Sequence, residues 1–188
     1  SDDFVKNNVI SFMTPDGTIH TADNIEEFDA LTQPGVVVQI IPTHTTKDGK
    51  RIKSQFAEYN KKNGLIKLEK DIKVIDKENN EMQAEYAEYD SNKKKFKTFG
   101  VTKIITNKNY IIESEDVTFD NLKKIIFSKK NSYIIDKDQN KIFLDNFEYG
   151  TDNSIFKSIG YIRIKDKAKN TYEFSQIYID TNNKEILG

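Results

Sequence analysis

The chain has 188 residues, 36% of them apolar and 31% charged, with 29 basic and 30 acidic side chains and no cysteine. This excludes disulfides, thiolate metal sites and a cysteine nucleophile. Near-neutral charge, with arginine only at Arg51 and Arg163, argues against nucleic acid as a partner. No apolar run approaches the roughly 18 residues of a membrane-spanning helix.

In chain order, Ser1-Asp2-Asp3 reads as a mature or trimmed terminus rather than a signal peptide. Val9, Ser11 and Met13 then alternate with polar residues before the turn Pro15-Asp16-Gly17. Ile19 to Ile25, and Gly35-Val36-Val37-Val38, continue this β-like alternation. The tract from Asn24 to Leu31 is the best helical candidate, though no helical pattern convinces. An insertion runs from Pro42 to Lys50.

From residue 52 onward one pattern recurs every 30 residues. Ile52, Ser54, Ala57, Tyr59 and Asn60 are followed by Met82, Ala84, Ala87, Tyr89 and Asp90. Next come Ile112, Ser114, Val117, Phe119 and Asp120, and then Ile142, Leu144, Phe147, Tyr149 and Gly150. The last copy is Tyr172, Phe174, Ile177, Ile179 and Asp180. Each unit's second half adds the columns Ile66, Phe96, Ile126, Phe156 and Val74, Ile104, Ile134, Ile164. So many apolar columns in one phase identify a repeat.

Each unit therefore predicts two alternating strands joined by Asn-, Asp- and Gly-rich turns, which tolerate positive φ. Successive strands pair antiparallel. The apolar phase shifts inside the first strand, from 52 and 54 to 57 and 59, which predicts a bulge or corner. Because the shift recurs, the corners line up along the stack. No domain boundary interrupts residues 1–188.

Chemistry-bearing motifs are sparse. His20 and His44 lie in unrelated contexts, and carboxylates such as Glu58, Glu88 and Glu113 alternate with apolar residues as a solvated face does. No phosphate loop, zinc spacing or nucleophile elbow occurs. Asp136-Lys137-Asp138-Gln139-Asn140 lacks the glycine and closing glutamate of a calcium loop and reads as a turn. Lys93-Lys94-Lys95 reads as a turn with a solvated edge. The expectation is a non-enzymatic protein with no cofactor and no metal.

The apolar columns admit two readings, a filled β core or a trough lined for lipid chains, and the residues alone leave both open. At these columns the sequence resembles a known family. The pattern runs Ser54-Gln55-Phe56-Ala57-Glu58-Tyr59-Asn60 and Ala84-Glu85-Tyr86-Ala87-Glu88-Tyr89-Asp90, with glycine at Gly100-Val101 and Gly160-Tyr161. It looks like the OstA-like domain shared by lipopolysaccharide-transport proteins of the LptA type and by the N-terminal part of LptD. The resemblance covers roughly residues 5–188. Lys70 and Lys130 stand where the pattern has a strand-initiating glycine, and the Pro42 to Lys50 insertion departs from it.

The resemblance implies an all-β, open, twisted antiparallel β-jellyroll that is periplasmic, associated with the outer membrane, and passes lipopolysaccharide along its apolar interior. It implies neighbours of the same fold joined through edge strands, and an outer-membrane barrel as partner. The closing tract looks most like an LptD N-terminal domain whose chain continues into that barrel. A free-standing LptA-like bridge, or a structural β-repeat with no lipid groove, is the alternative. The expected lipid-lining residues are Ile52, Met82, Ile112 and Ile142; Ala87, Val117 and Phe147; Phe96, Ile126 and Phe156; and Ile104, Ile134 and Ile164.

Overall fold

The computed structural model describes residues 10–14, 18–22, 37–41, 44–45, 51–60, 62–75, 79–90, 92–183 and 185–187. The helical candidate at 24–31, the turn at 15–17 and most of the insertion at 42–50 lie outside them. The described residues form eighteen strands and no helix. These are β1 (Ile10–Met13), β2 (Ile19–Ala22), β3 (Val37–Ile41), β4 (His44–Thr45), β5 (Arg51–Lys53) and β6 (Phe56–Asn60). Then come β7 (Leu65–Ile75), β8 (Glu81–Asp90), β9 (Lys95–Ile105), β10 (Ile111–Glu115), β11 (Thr118–Asp120) and β12 (Ile125–Ser128). The last are β13 (Ser132–Ile135), β14 (Lys141–Leu144), β15 (Phe147–Gly150), β16 (Ile155–Lys165), β17 (Thr171–Asp180) and β18 (Glu185–Leu187).

Every pairing is antiparallel, so the units are hairpins and not parallel coils. The sheet is folded along one line into two arms. Arm one runs β4-β5-β7-β8-β9-β10-β13-β14-β16-β17. Arm two runs β2-β1-β3-β6-β7-β8-β9-β11-β12-β15-β16-β17-β18. The strands β7, β8, β9, β16 and β17 belong to both arms and bend where they cross. Elsewhere the crossing breaks the strand, as between β10 and β11 or between β12 and β13.

The corner recurs with the sequence repeat. Its register slips come between Glu69 and Ile72 on β7, between Ala84 and Tyr86 on β8, and between Ile159 and Ile162 on β16. On β7 and β16 a three-residue step faces a two-residue step on the neighbour, the one extra residue of a bulge. Lys70, Gly100 and Gly160 sit at this step with φ of 61°, 77° and 131°. These glycines lie inside β9 and β16. At 70, 100 and 160 the column therefore marks a mid-strand corner and not the start of a strand, while Lys130 lies in the break between β12 and β13. Lys70 shows that a side chain can occupy it.

A corner interrupts the ladder, and its freed backbone groups need partners. Short polar side chains supply them. Gly100 N–H donates to Asp116 Oδ1 (2.9 Å), and Tyr161 N–H donates to Asp145 Oδ2 (2.8 Å). From inside, Thr98 Oγ1 accepts Val117 N–H (2.9 Å), Ser128 Oγ donates to the Glu115 carbonyl (2.6 Å), and Ser158 Oγ donates to the Asn146 carbonyl (2.6 Å). Thr98, Ser128 and Ser158 are themselves 30 residues apart. No buried side-chain nitrogen or oxygen among the described residues lacks a partner.

Candidate functional site: an apolar trough between two arms

Alternation sends every second side chain of each arm into the angle between them. Each arm contributes two layers. The deeper layer flanks the corner, and the outer layer forms a lip. On arm one the lip reads Ile52, Val74, Met82, Ile104, Ile112, Ile134, Ile142, Ile164 and Tyr172, each opposite the next. On arm two it reads Tyr59, Ile66, Tyr89, Phe96, Phe119, Ile126, Tyr149, Phe156 and Ile179. Neither lip carries a charged residue. One wall is aliphatic almost throughout, and the other is mostly aromatic. Phe96 and Phe119 meet edge-on at 5.7 Å, and Phe147 and Phe156 stack at 6.0 Å.

The expected lining residues all share this inner face, but at two depths. Ala87 and Val117 are fully buried, and Phe147 is 2% exposed. These three belong to the sealed apex. Met82, Ile134 and Phe156 are buried in the lip itself. Ile52, Ile104, Ile112, Ile142, Ile164, Phe96 and Ile126 are half-buried and pack against the core clusters. Tyr59, Ile66, Ile134 and Phe156 of the lips belong to the same two buried clusters as the deeper residues, and the half-buried lip residues pack against those clusters.

The aromatic column Tyr59, Tyr89, Phe119 and Tyr149 was not expected as lining, yet it faces the same space. Its place in the repeat, two residues beyond Ala57, Ala87, Val117 and Phe147, was the signal. Buried apolar residues form two clusters, one around Ile66, Leu68 and Ile72 and one around Leu144, Ile162 and Ile177. Between them the apex is built from Thr98, Thr102, Ser114, Ser128 and Ser132, all buried.

The outer face is charged over the first units and more apolar beyond them. Its arm-one row opposite the lip runs Lys53, Lys73, Gln83, Lys103, Glu113 in register. The row continues through Tyr133 and Phe143, and Phe143, Ile159 and Tyr161 are exposed. Ion pairs join Lys73 to Glu81 (2.9 Å) and Lys157 to Glu148 (2.7 Å). A shallow groove of about 380 Å³ on this face is lined by charged side chains including Asp71, Lys73 and Lys103. Burial, then the hydrogen bond to Glu88, pushes the Tyr86 phenol up to about 12.

The turns are fastened by strand-end carboxylates. Asp90 accepts the N–H groups of Asn92 and Lys93, and Asp180 those of Asn182 and Asn183. Asp120 accepts from Lys123 N–H and pairs with Lys95 at 3.2 Å. Those backbone donors hold all three carboxyls below the usual range. Asp136 accepts the N–H groups of Asp138 and Asn140 and the Asn140 amide, so this segment is a turn. No group of three or more His, Asp or Glu placed to hold a metal occurs among the described residues.

No family model matches the chain, and no curated protein matches it. Among solved structures it is similar to LptH, the LptA homologous periplasmic component of the lipopolysaccharide transport device of Pseudomonas aeruginosa. Identity there is 14% and the TM-score 0.32, over 76% of this chain and 82% of that one. It is also similar to the TCP domain of Drosophila melanogaster SAS-4, solved with a proline-rich motif of Ana2, at 7% identity and a TM-score of 0.22. That match covers 66% of this chain and 88% of the other. The TCP10 domain of Danio rerio CPAP, solved with a STIL peptide, matches at 12% identity and a TM-score of 0.16, over 89% and 99%.

Proposed function

We propose that this protein is a non-enzymatic carrier that passes the acyl chains of a lipid, lipopolysaccharide above all, along its trough. The observation that carries the reading is the pair of charge-free apolar lips, continuous across nine strands and only partly buried at most positions. Burying one methylene is worth about 0.8 kcal/mol, so a chain laid between the lips gains several kcal/mol over water. The rungs are nearly equivalent, so the gain has no single deep minimum and the chain can slide. Below the lips only the sealed apex layer remains. An acyl chain therefore lies along the trough, across the strands, rather than pointing into the corner.

The sequence resemblance of the repeats to the OstA-like family supports the same reading. It adds a periplasmic location at the outer membrane and a role as either an LptD N-terminal domain or an LptA-like bridge. Neighbouring β-jellyroll domains, or the outer-membrane barrel, would meet the ends of the sheet. The first half of β17, residues 171–174, is exposed along its whole length and, among the described residues, pairs with β16 alone. Such an edge accepts a further strand by β-augmentation.

Photocrosslinking tests the reading. A photoreactive residue replacing Ile104, Ile112 or Ile126 should give lipopolysaccharide adducts in an assembled transport chain, and one replacing the outward Lys103 should not. Adducts at none of the three lip positions would defeat it.

A further inference from the structure

The turns at the far end of arm one repeat with the 30-residue step, and one of them departs from the rest. The residue that closes each turn is Asn80, Tyr110, Asn140 and Asn170. Asn80 Oδ1 accepts Asn107 N–H (2.9 Å) and Asn140 Oδ1 accepts Lys167 N–H (3.3 Å), so each staples its turn to the turn one unit on. Asn140 and Asn170 also donate their side-chain amides to Asp136 and Asp166. Tyr110 has no amide for either bond. It packs instead against the apolar cluster that contains Ile134.

The backbone of this turn is nevertheless that of its neighbours. Thr106 N–H donates to the Tyr110 carbonyl and Asn109 N–H to the Thr106 carbonyl. Asp136 and Gln139 do the same around Asn140, and Asp166 and Lys169 around Asn170. Thr106 Oγ1 accepts Tyr110 N–H (3.0 Å), as Asp136 and Asp166 accept from Asn140 and Asn170. The ring's place against the cluster thus follows from the residue at 110 and not from a distorted loop.

Alternation gives the ring its direction. Ile112 is a lip residue and faces Ile134 across the strand pair. Tyr110 stands two residues before it, so its side chain leaves on the same inner face, one step farther from the corner. To meet the cluster from there, the half-buried ring leans back over the lip.

We infer that Tyr110 is a gate halfway along the trough, its ring covering the lip at β10 and β13 until a passing hydrocarbon chain displaces it. The inference rests on the trough reading and deepens it. Ring and chain compete for one apolar surface. Only molecules with the ring swung out can take a chain there, and apparent affinity at that point falls by their fraction.

The test uses the whole chain, a photoreactive residue at Ile112 or, one unit on, at Ile142, and a radiolabelled long-chain fatty acid. Tyr110→Asn installs the residue of the other units. It should raise the ratio of Ile112 to Ile142 adducts roughly fivefold. Tyr110→Ala, which removes the ring without adding an amide, should raise it too. Tyr110→Phe should match the wild type, because the ring and not its hydroxyl does the covering. Circular dichroism verifies each fold. A ratio that stays level or falls in both Tyr110→Asn and Tyr110→Ala overturns the inference and leaves the trough standing. Adducts at neither position in any variant remove the trough reading and the inference together.

Discussion

The apex and the lip of the trough are drawn from the same columns of the same repeat, yet they do different work. At the apex the side chains are small, hydroxylic or tightly packed. Thr98, Thr102 and Ser128 close backbone gaps that the corner opens, and their burial is complete or nearly so. At the lip the side chains are large and apolar; most are half-buried, while Tyr59, Ile66, Met82, Ile134 and Phe156 are buried. The apex makes the bend; the lip lines the angle of the bend with apolar side chains, most of them half-buried. Periodicity alone thus marks which residues face inward, and depth decides whether they hold the fold or offer a surface.

Replacing matched residues at the two depths by arginine separates them most sharply. Ala87→Arg forces a bulky unpaired charge into a fully buried position, at a cost above about 4 kcal/mol. The expected result is loss of the folded state, read as a missing thermal transition. Ile126→Arg, at the half-buried lip, can carry its guanidinium to the mouth. It should stay folded and lose hydrocarbon binding. A folded Ala87→Arg protein would erase the distinction between apex and lip.

Much of this was legible in the residues. The 30-residue phase gave antiparallel hairpins, and the shift from Ile52 and Ser54 to Ala57 and Tyr59 gave the corner. Two things were not legible. Inward-facing parity is identical for Ala87 and Tyr89, so the sequence could not separate sealed from open positions. The glycine column was read as starting strands because a sequence shows the residue and not its φ. Lys70, at 61°, holds the same conformation as Gly100 without a glycine to announce it.

That column supplies the next, smaller test of how rigid the apex is. Around Gly100 an added Cβ meets nothing within 4 Å, and φ is +77°. Gly100→Ala carries only the left-handed backbone penalty, about 1–2 kcal/mol. At Gly160 φ is +131°, and a Cβ would lie 3.0 Å from Asp145 Oδ2, the acceptor that clasps Tyr161 N–H. Gly160→Ala adds displacement of that clasp to a backbone region reserved for glycine, about 1–3 kcal/mol from the backbone alone. Its melting temperature should fall further than that of Gly100→Ala. Equal falls would show that the Asp145 clasp contributes nothing to the corner.

The smallest effect lies beyond the lip, where Asp90 and Asp120 fasten the arm-two turns. Their folded-state pKa values are lowered, chiefly by backbone N–H donors in the turns and then by Lys93 and Lys95. A carboxyl depressed by folding contributes stability that is complete above its unfolded value, about 3.9, and disappears as pH falls through the depressed value. The melting temperature should therefore hold steady through neutral pH and decline below about pH 4. In D90N/D120N the amide oxygens still accept the turn N–H groups, but there is no charge left to titrate. The variant should melt slightly lower at neutral pH and show a shallower acid decline. An unchanged acid slope would place the titrating groups elsewhere and leave the mouth with no share in stability, which would make the contrast between apex and lip absolute.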